Sequence, residues 1–111
     1  MDRNQIKKEL DIYVTRVEKK FDPEKIILFG SFARGDATNW SDVDILVISQ
    51  FKGIPEKKRF DILYDLHTDL IKNHDINVYG ITPQEYANAK PWTIFSDIKE
   101  EGILLYQKTV D

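Results

Sequence analysis

The sequence predicts an α+β domain, a mixed α/β chain in which helices pack against a sheet of three or four strands. Two observations support this prediction. Short apolar runs end abruptly at glycine or polar residues, as strands buried on both faces do. Longer segments repeat apolar residues at helical spacing and carry charges on the opposite face. The segments follow the order α-β-β-α-β-α-α-β, and a length of 111 residues predicts one domain over residues 1–111.

The first five elements follow from periodicity and from their flanking residues. Residues 3–20 carry an apolar stripe at helical spacing and predict the first helix. Residues 25–29 and 43–48 are continuous apolar runs separated by a polar loop, and they predict two buried strands. Pro55 begins a second long helix, whose apolar residues recur at helical spacing as far as position 71. Residues 75–81 predict a third strand.

The last three elements have clear boundary signals. Thr82-Pro83-Gln84-Glu85 is typical of a helix start, with Thr as the N-cap, Pro at the first position and Glu closing a capping box. A short helix is predicted over residues 92–101, and it ends at Gly102. Residues 103–107 then predict a closing strand.

Composition and charge exclude several classes of protein. Sixteen Lys and Arg against nineteen Asp and Glu leave a net charge of -3, so no overall basic field favours nucleic acid. The absence of cysteine excludes a disulfide framework, a thiolate nucleophile and any Cys-containing zinc or iron–sulfur site. The N-terminus is polar, and no apolar run is long enough to span a membrane. These features predict a cytoplasmic protein.

The end of the first strand has the chemistry of an anion site. The strand stops at Gly30-Ser31, where the missing side chain allows a polyanion to approach the backbone. A helical turn beginning there points free amide N–H groups at the anion, and the Ser31 hydroxyl adds another donor. Gly35 then allows the chain to turn back toward the second strand.

Two aspartates stand at the start of the second strand. Asp42 and Asp44 are two positions apart, so they project to the same face of a strand with Cα atoms roughly 6.5–7 Å apart. At an effective dielectric of 20, two carboxylate charges ~6 Å apart repel by about 3 kcal/mol. Because Mg²⁺ prefers carboxylate and phosphate oxygens, the pair beside an anion cradle predicts a Mg²⁺–nucleoside triphosphate site, with room for two ions.

The segment from Gly30-Ser31-Phe32-Ala33-Arg34-Gly35 through Ser41-Asp42-Val43-Asp44 resembles the signature of the DNA polymerase β-like nucleotidyltransferase superfamily. More narrowly, it is similar to the minimal nucleotidyltransferase (MNT) family, whose members are often antitoxins of small helical HEPN ribonuclease toxins. The resemblance implies the nucleotidyltransferase fold. It also implies Mg²⁺-dependent transfer of AMP from ATP to a tyrosine of a HEPN-type toxin partner.

The same resemblance implies roles for individual residues. Gly30 and Ser31 would hold the triphosphate, and Asp42 and Asp44 would ligate Mg²⁺. The superfamily also uses a third carboxylate on a neighbouring strand, which helps to deprotonate the attacking hydroxyl, and Asp75 is predicted for that role. The predicted catalytic and metal-binding set is therefore Asp42, Asp44 and Asp75.

Three neighbouring residues have two interpretations each. Arg34 either neutralises phosphate charge or pairs with Asp36 on the surface. Ser41 either orients Asp42 beside the nucleotide or serves as a turn hydroxyl. Trp40 either contacts the base or a partner, or packs against the edge of the sheet. Arg34 and Ser41 are predicted here as nucleotide-binding residues.

Two rival functions remain open. Asn77 shares the strand face of Asp75, and if Asn77 occupies the third position the general base is missing. The chain would then be a degenerate transferase that neutralises its partner by binding alone. The second rival is transfer to a small-molecule acceptor, as in the antibiotic nucleotidyltransferases, which resemble this chain only in the motif.

Overall fold

The computed structural model describes residues 3–90 and 94–109, and its elements follow the predicted order with one short helix added between the first two strands. Residues 91–93, where the last predicted helix begins, lie outside the described part. A 3₁₀ turn at Arg3–Ile6 leads into α1. The elements are α1 (Lys7–Phe21), β1 (Lys25–Phe29), α2 (Gly30–Arg34), β2 (Val43–Ile48), α3 (Glu56–Asp65), β3 (Ile76–Ile81), α4 (Pro83–Ala87), α5 (Ile94–Glu101) and β4 (Ile103–Gln107).

The four strands form one mixed sheet in the order β3-β2-β1-β4. Strand β1 pairs antiparallel with both β2 and β4, whereas β2 and β3 run parallel. Asp44 on β2 stands in register with Phe29 on β1 and with Asn77 on β3. The α+β prediction and the mixed sheet of three or four strands are therefore confirmed.

Helices cover both faces of the sheet, which explains why β1 and β2 are apolar on both sides. On the first face, α1 and α3 pack against alternate residues such as Ile45 and Val47. On the second face, Ile98 of α5 packs against the residues between them, including Leu46 and Ile48. Asp44 has the parity of the second face, so its carboxylate projects on the side that α5 partly covers.

The end of α3 differs from the prediction, whereas the start of α4 matches it. Helix α3 ends at Asp65, and the apolar stripe expected to continue to residue 71 lies on turns in which the His67 and Leu70 amides bond three residues back. The capping box of α4 forms as predicted, because Thr82 and Glu85 exchange hydrogen bonds of 3.2 and 2.7 Å. Within residues 3–90 and 94–109, no helix is long and apolar enough to cross a membrane.

Candidate active site

Asp42 and Asp44 lie together where the sheet meets α2, and an asparagine joins them. The Asn77 Nδ2 donates to Asp42 Oδ2 and to Asp44 Oδ1, both at 3.1 Å. Register explains the contact, because Asn77 is the direct cross-strand partner of Asp44 in the parallel β2–β3 pair. The two amide hydrogens of Asn77 therefore lie between the two carboxylates, where a cation could also neutralise their negative charges.

The two aspartates differ in exposure, and the difference affects their charge. Asp42 is exposed, whereas Asp44 is partly buried. Burial raises the pKa of the Asp44 carboxyl above its usual value, and repulsion from Asp42 adds to the rise, while the Asn77 hydrogen bond and the Arg34 charge oppose it. A group whose ionised form is disfavoured by burial and by a like charge gains most from a bound cation.

Gly30 allows the chain to approach Asp44 closely. Its φ of +73° favours glycine, and a Cβ at this position would lie 2.1 Å from Asp44 Oδ2. No other residue fits without moving the carboxylate. Helix α2 begins at Gly30, so the end of the helix whose first backbone N–H groups have no partner within the helix starts beside Asp44.

A pocket of about 320 Å³ opens beside this pair and contains the predicted triphosphate residues. Arg34 lies in the pocket and also pairs with Asp36 at 3.2 Å and with Glu101 of α5 at 3.5 Å. The pairing with Asp36 is therefore confirmed, and Arg34 lines the pocket at the same time, so its role in neutralising phosphate charge stays a prediction. The pocket is lined by Phe29, Gly30, Ser31, Arg34, Asp44, Asp97 and Glu101.

The structure does not bring Asp75, the predicted third metal ligand and general base, to the other two aspartates. Strand β3 begins at Ile76, so Asp75 stands just before the strand, where alternation no longer constrains its side chain. Its Oδ1 accepts a 2.7 Å hydrogen bond from the Tyr64 hydroxyl on α3, on the other face of the sheet. The alternative residue, Asn77, stands beside Asp42 and Asp44.

Ser41 serves the turn before β2, and its side chain does not face the pocket. Its Oγ accepts the Thr38 backbone N–H at 2.8 Å, and the Ser41 N–H donates to the Thr38 carbonyl at 3.2 Å. Trp40, on the same turn, has 93% of its surface exposed. Packing of Trp40 against the sheet edge, one of its interpretations, is therefore wrong.

Sequence reasoning missed two groups of residues near the site. Asp97 and Glu101, four positions apart on one face of α5, line the pocket. Their spacing identifies a common helix face, but nothing in the sequence shows what that face meets. His74 is the other omission: it is 8% exposed and contacts the Ser41 carbonyl.

Fold and site together define a nucleotidyltransferase. The sequence matches the family described as "Nucleotidyltransferase domain" over residues 10–105, and the chain belongs to that family of enzymes. A relative from Methanocaldococcus jannaschii, named "Putative protein adenylyltransferase", is 38% identical over 85 residues, which cover 75% of this chain and 78% of the relative. Both findings agree with the resemblance to minimal nucleotidyltransferases.

Two solved structures share the fold. A "putative nucleotidyltransferase" from Sulfolobus solfataricus has a TM-score of 0.64 at 23% identity, covering 96% of this chain and 84% of that chain. A chain of a "toxin-antitoxin with AMP-PNP" complex has a TM-score of 0.62 at 20% identity, covering 88% of this chain and 73% of that chain. At these identities the likeness establishes the architecture, which confirms the nucleotidyltransferase fold.

The donor set at Asp42 and Asp44 fits a magnesium ion that a nucleotide brings with it. Within the described part of the chain, no group of three or more His, Cys, Asp or Glu side chains is arranged to hold a metal. Mg²⁺ is commonly bound by only one or two carboxylates together with substrate phosphates and water. The two aspartates supply the first kind of ligand, and the pocket beside Gly30 has room for the second.

Proposed function

We propose that the protein transfers AMP from Mg²⁺-bound ATP to a hydroxyl group of a protein partner. The observation that carries this proposal is the Asp42–Asp44 pair, which Asn77 joins and whose Asp44 packs directly against Gly30 at the start of α2. A carboxylate pair alone would be a solvated strand end, and a Gly-Ser turn alone would be an ordinary turn. Their contact creates one site with cation ligands on one side and phosphate donors on the other.

The reaction is an in-line displacement at the α-phosphorus. The acceptor oxygen forms a bond to phosphorus as the bond to the bridging oxygen of the β-phosphate breaks, and pyrophosphate leaves with that electron pair. Gly30 and Ser31 hold the departing phosphates, and Arg34 offsets part of their charge. In this scheme Asp42, the more exposed of the two carboxylates, accepts the proton of the attacking hydroxyl.

Asp42 and Asp44 would hold Mg²⁺. When bound, the ion neutralises phosphate charge and polarises the phosphoryl oxygens. The remaining contribution of the protein is positioning, since the sheet holds Asp44 in register with Phe29 and Asn77, and Asp42 stands one residue before the strand begins. Asp75 has no part in this scheme, because its carboxylate bonds to Tyr64.

The proposed partner is a HEPN-type toxin in the cytoplasm, for which this protein acts as antitoxin. Two observations support a protein partner. One structural neighbour is described as a toxin–antitoxin complex with an ATP analogue. Trp40 is almost fully exposed on a turn that ends at the site, and large exposed aromatic residues are common anchors of protein interfaces.

Labelled ATP tests the proposal directly. The protein is incubated with Mg²⁺ and a candidate HEPN-type toxin, with ATP labelled at the α- or the γ-phosphate. Label from the α-position should appear on the partner, and label from the γ-position should not. Asp42→Asn and Asp44→Asn should each abolish labelling. Asp75→Asn, the matched control, should retain it, because the amide oxygen still accepts the Tyr64 bond.

A second function is favoured by one observation, the position of Asn77 beside Asp42 and Asp44, where the resemblance implies a third carboxylate. Asn77 cannot accept a proton, and if Asp42 does not accept it either, the chain neutralises its partner by binding alone. The double variant Asp42→Asn with Asp44→Asn separates the two functions. Full neutralisation by the double variant, with no label on the partner in the wild-type reaction, would replace transfer by binding.

A further inference from the structure

We infer that His74 is a positioning residue that holds Asp42 in place for cation binding. The inference rests on the proposed function, since it concerns the same metal–nucleotide site. His74 itself contacts neither the two aspartates nor the pocket beside Gly30. It acts through Ser41, the residue before Asp42.

The principal contact is a hydrogen bond across the start of the β2–β3 pair. His74 Nδ1 lies 2.7 Å from the Ser41 carbonyl oxygen. A carbonyl oxygen only accepts, so Nδ1 donates, and the bond is shielded because His74 is 8% exposed. Ser41 has no strand partner, since β2 begins at Val43. The side chain therefore supplies a link at a point where strand pairing has not yet begun.

This link holds Asp42 from both sides. The backbone N–H of Val43, the residue after Asp42, donates to the Asp75 carbonyl at 2.9 Å. The carbonyl of Ser41, the residue before it, accepts from His74. Both neighbours of Asp42 are thus tied to consecutive residues of the segment that enters β3. Without the histidine bond, Ser41 would be tied only to Thr38 of its own turn and no longer to the segment that enters β3.

The imidazole also contacts the helix on the phosphate side of the site. Its ring packs edge to face on Phe32 of α2, with centroids 5.1 Å apart at an interplanar angle of 88°. Phe32 is fully buried, so this contact connects α2 to the same residue that holds Ser41. The two halves of the site, the cation ligands and the phosphate-binding helix, therefore share one buried side chain.

Packing alone does not account for a histidine at this position. Its Nε2 is buried, with no hydrogen-bond partner among the described residues. An aliphatic side chain would fill the space without leaving a buried polar atom unpaired, which is a destabilising feature. The structural gain that offsets it is the bond to Ser41, whose effect falls on the adjacent Asp42.

The experiment compares two buried histidines, of which only His74 is expected to affect cation binding. His74→Leu removes the donor, and His74→Asn restores an N–H group near the Nδ1 position. His67→Leu is the matched control, because His67 is 4% exposed and its Nδ1 also meets a carbonyl, that of Tyr64. Mn²⁺ binding in the presence of AMP-PNP is measured for the full chain by electron paramagnetic resonance, and urea unfolding records stability.

His74→Leu should weaken Mn²⁺ binding by about 10-fold or more, the effect typical of losing a residue that orients a metal ligand. His74→Asn should recover most of that loss, and His67→Leu should change binding less than about 2-fold at a similar loss of stability. Unchanged affinity in His74→Leu, or an equal loss in His67→Leu, would overturn the positioning role. Absence of Mn²⁺ binding by the wild type would instead overturn the proposed site, and the inference with it.

Discussion

Replacing Asn77 by aspartate adds a third carboxylate to the site, and the account predicts a large and ligand-dependent effect. The Asn77 amide now donates to Asp42 and Asp44, each at 3.1 Å. In Asn77→Asp both donated bonds are lost, and a third negative charge stands within the same group. Without metal the variant should be less stable than the wild type, whereas with Mg²⁺ the difference should disappear.

The size of the effect follows from two limits. At about 4 Å and an effective dielectric of 20, each repulsion is worth ~4 kcal/mol. The new carboxyl can avoid this repulsion by taking up a proton, which at pH 7 costs about 4 kcal/mol for a group with an ordinary pKa near 4. Proton uptake therefore sets the ceiling, and we expect the metal-free variant to lose about 2–4 kcal/mol. For a chain of this size that is a fall in Tm of roughly 10 °C or more.

Thermal unfolding with EDTA and with saturating Mg²⁺ measures the effect, and lowering the pH of the metal-free sample should recover part of the loss. AMP transfer provides a second readout. In the wild type Asp42 both holds the cation and accepts the proton, and a carboxylate at position 77 would relieve it of the second role. A dedicated general base contributes about 10²-fold or more, so the variant should transfer AMP faster than the wild type. Equal stability of variant and wild type in EDTA, or equal stabilisation of both by Mg²⁺, would refute the placement of Asn77 between the aspartates.

Three further predictions concern the fold around the site. Gly30→Ala should abolish Mn²⁺ binding and lower the free energy of unfolding by about 2 kcal/mol or more, because the new Cβ would meet Asp44. Gly35→Ala is the control: position 35 has open space around it, so this variant should lose about 1 kcal/mol and bind Mn²⁺ normally. The hydrogen bond from the Thr82 backbone N–H lowers the pKa of Glu85 in the folded protein. The stabilisation of the fold by this bond is therefore fully present above the unfolded pKa, near 4.3, and is lost as the pH falls through the lower folded pKa. Glu85→Gln should therefore flatten the acid decline of stability, measured by urea unfolding at about pH 6 to 3. Tyr13→Phe should cost about 1 kcal/mol in urea, because its hydroxyl donates a buried 2.7 Å bond to α3.

The predicted strands match the structure because their signals are local. An apolar run halted by a glycine identifies β1 whatever lies beside it, and the Thr82–Glu85 capping box identifies the start of α4. The end of α3 was harder to predict from the sequence. Apolar residues continue at helical spacing to Ile71, but the chain leaves the helix after Asp65 and buries Ile71 from a turn. The spacing of apolar residues shows which side of a segment is buried, but turns can bury residues at the same spacing, so the spacing alone does not show where a helix ends.

The residues of the candidate site likewise fall into those with local sequence signals and those whose place depends on distant parts of the chain. Gly30 and Asp44 belong to a continuous motif, so their proximity follows from two strands joined by a short connection. The choice between Asp75 and Asn77 depends on where β3 begins and on its register with β2, which is a non-local property. A difference of one residue in the strand start decides whether Asp75 obeys alternation or turns to Tyr64. His74 escaped notice for the same reason, because its partner Ser41 lies 33 positions away.

The central claim is that Asp42, Asp44 and the Gly30–Ser31 turn form a single metal–nucleotide site. A crystal structure with Mn²⁺ and an ATP analogue that cannot be cleaved between the α- and β-phosphates tests it most directly. The account predicts an anomalous peak about 2.1–2.2 Å from oxygens of both aspartates, with the phosphates against the start of α2. Nucleotide bound elsewhere, or phosphates at α2 with no metal at the aspartates, would contradict it.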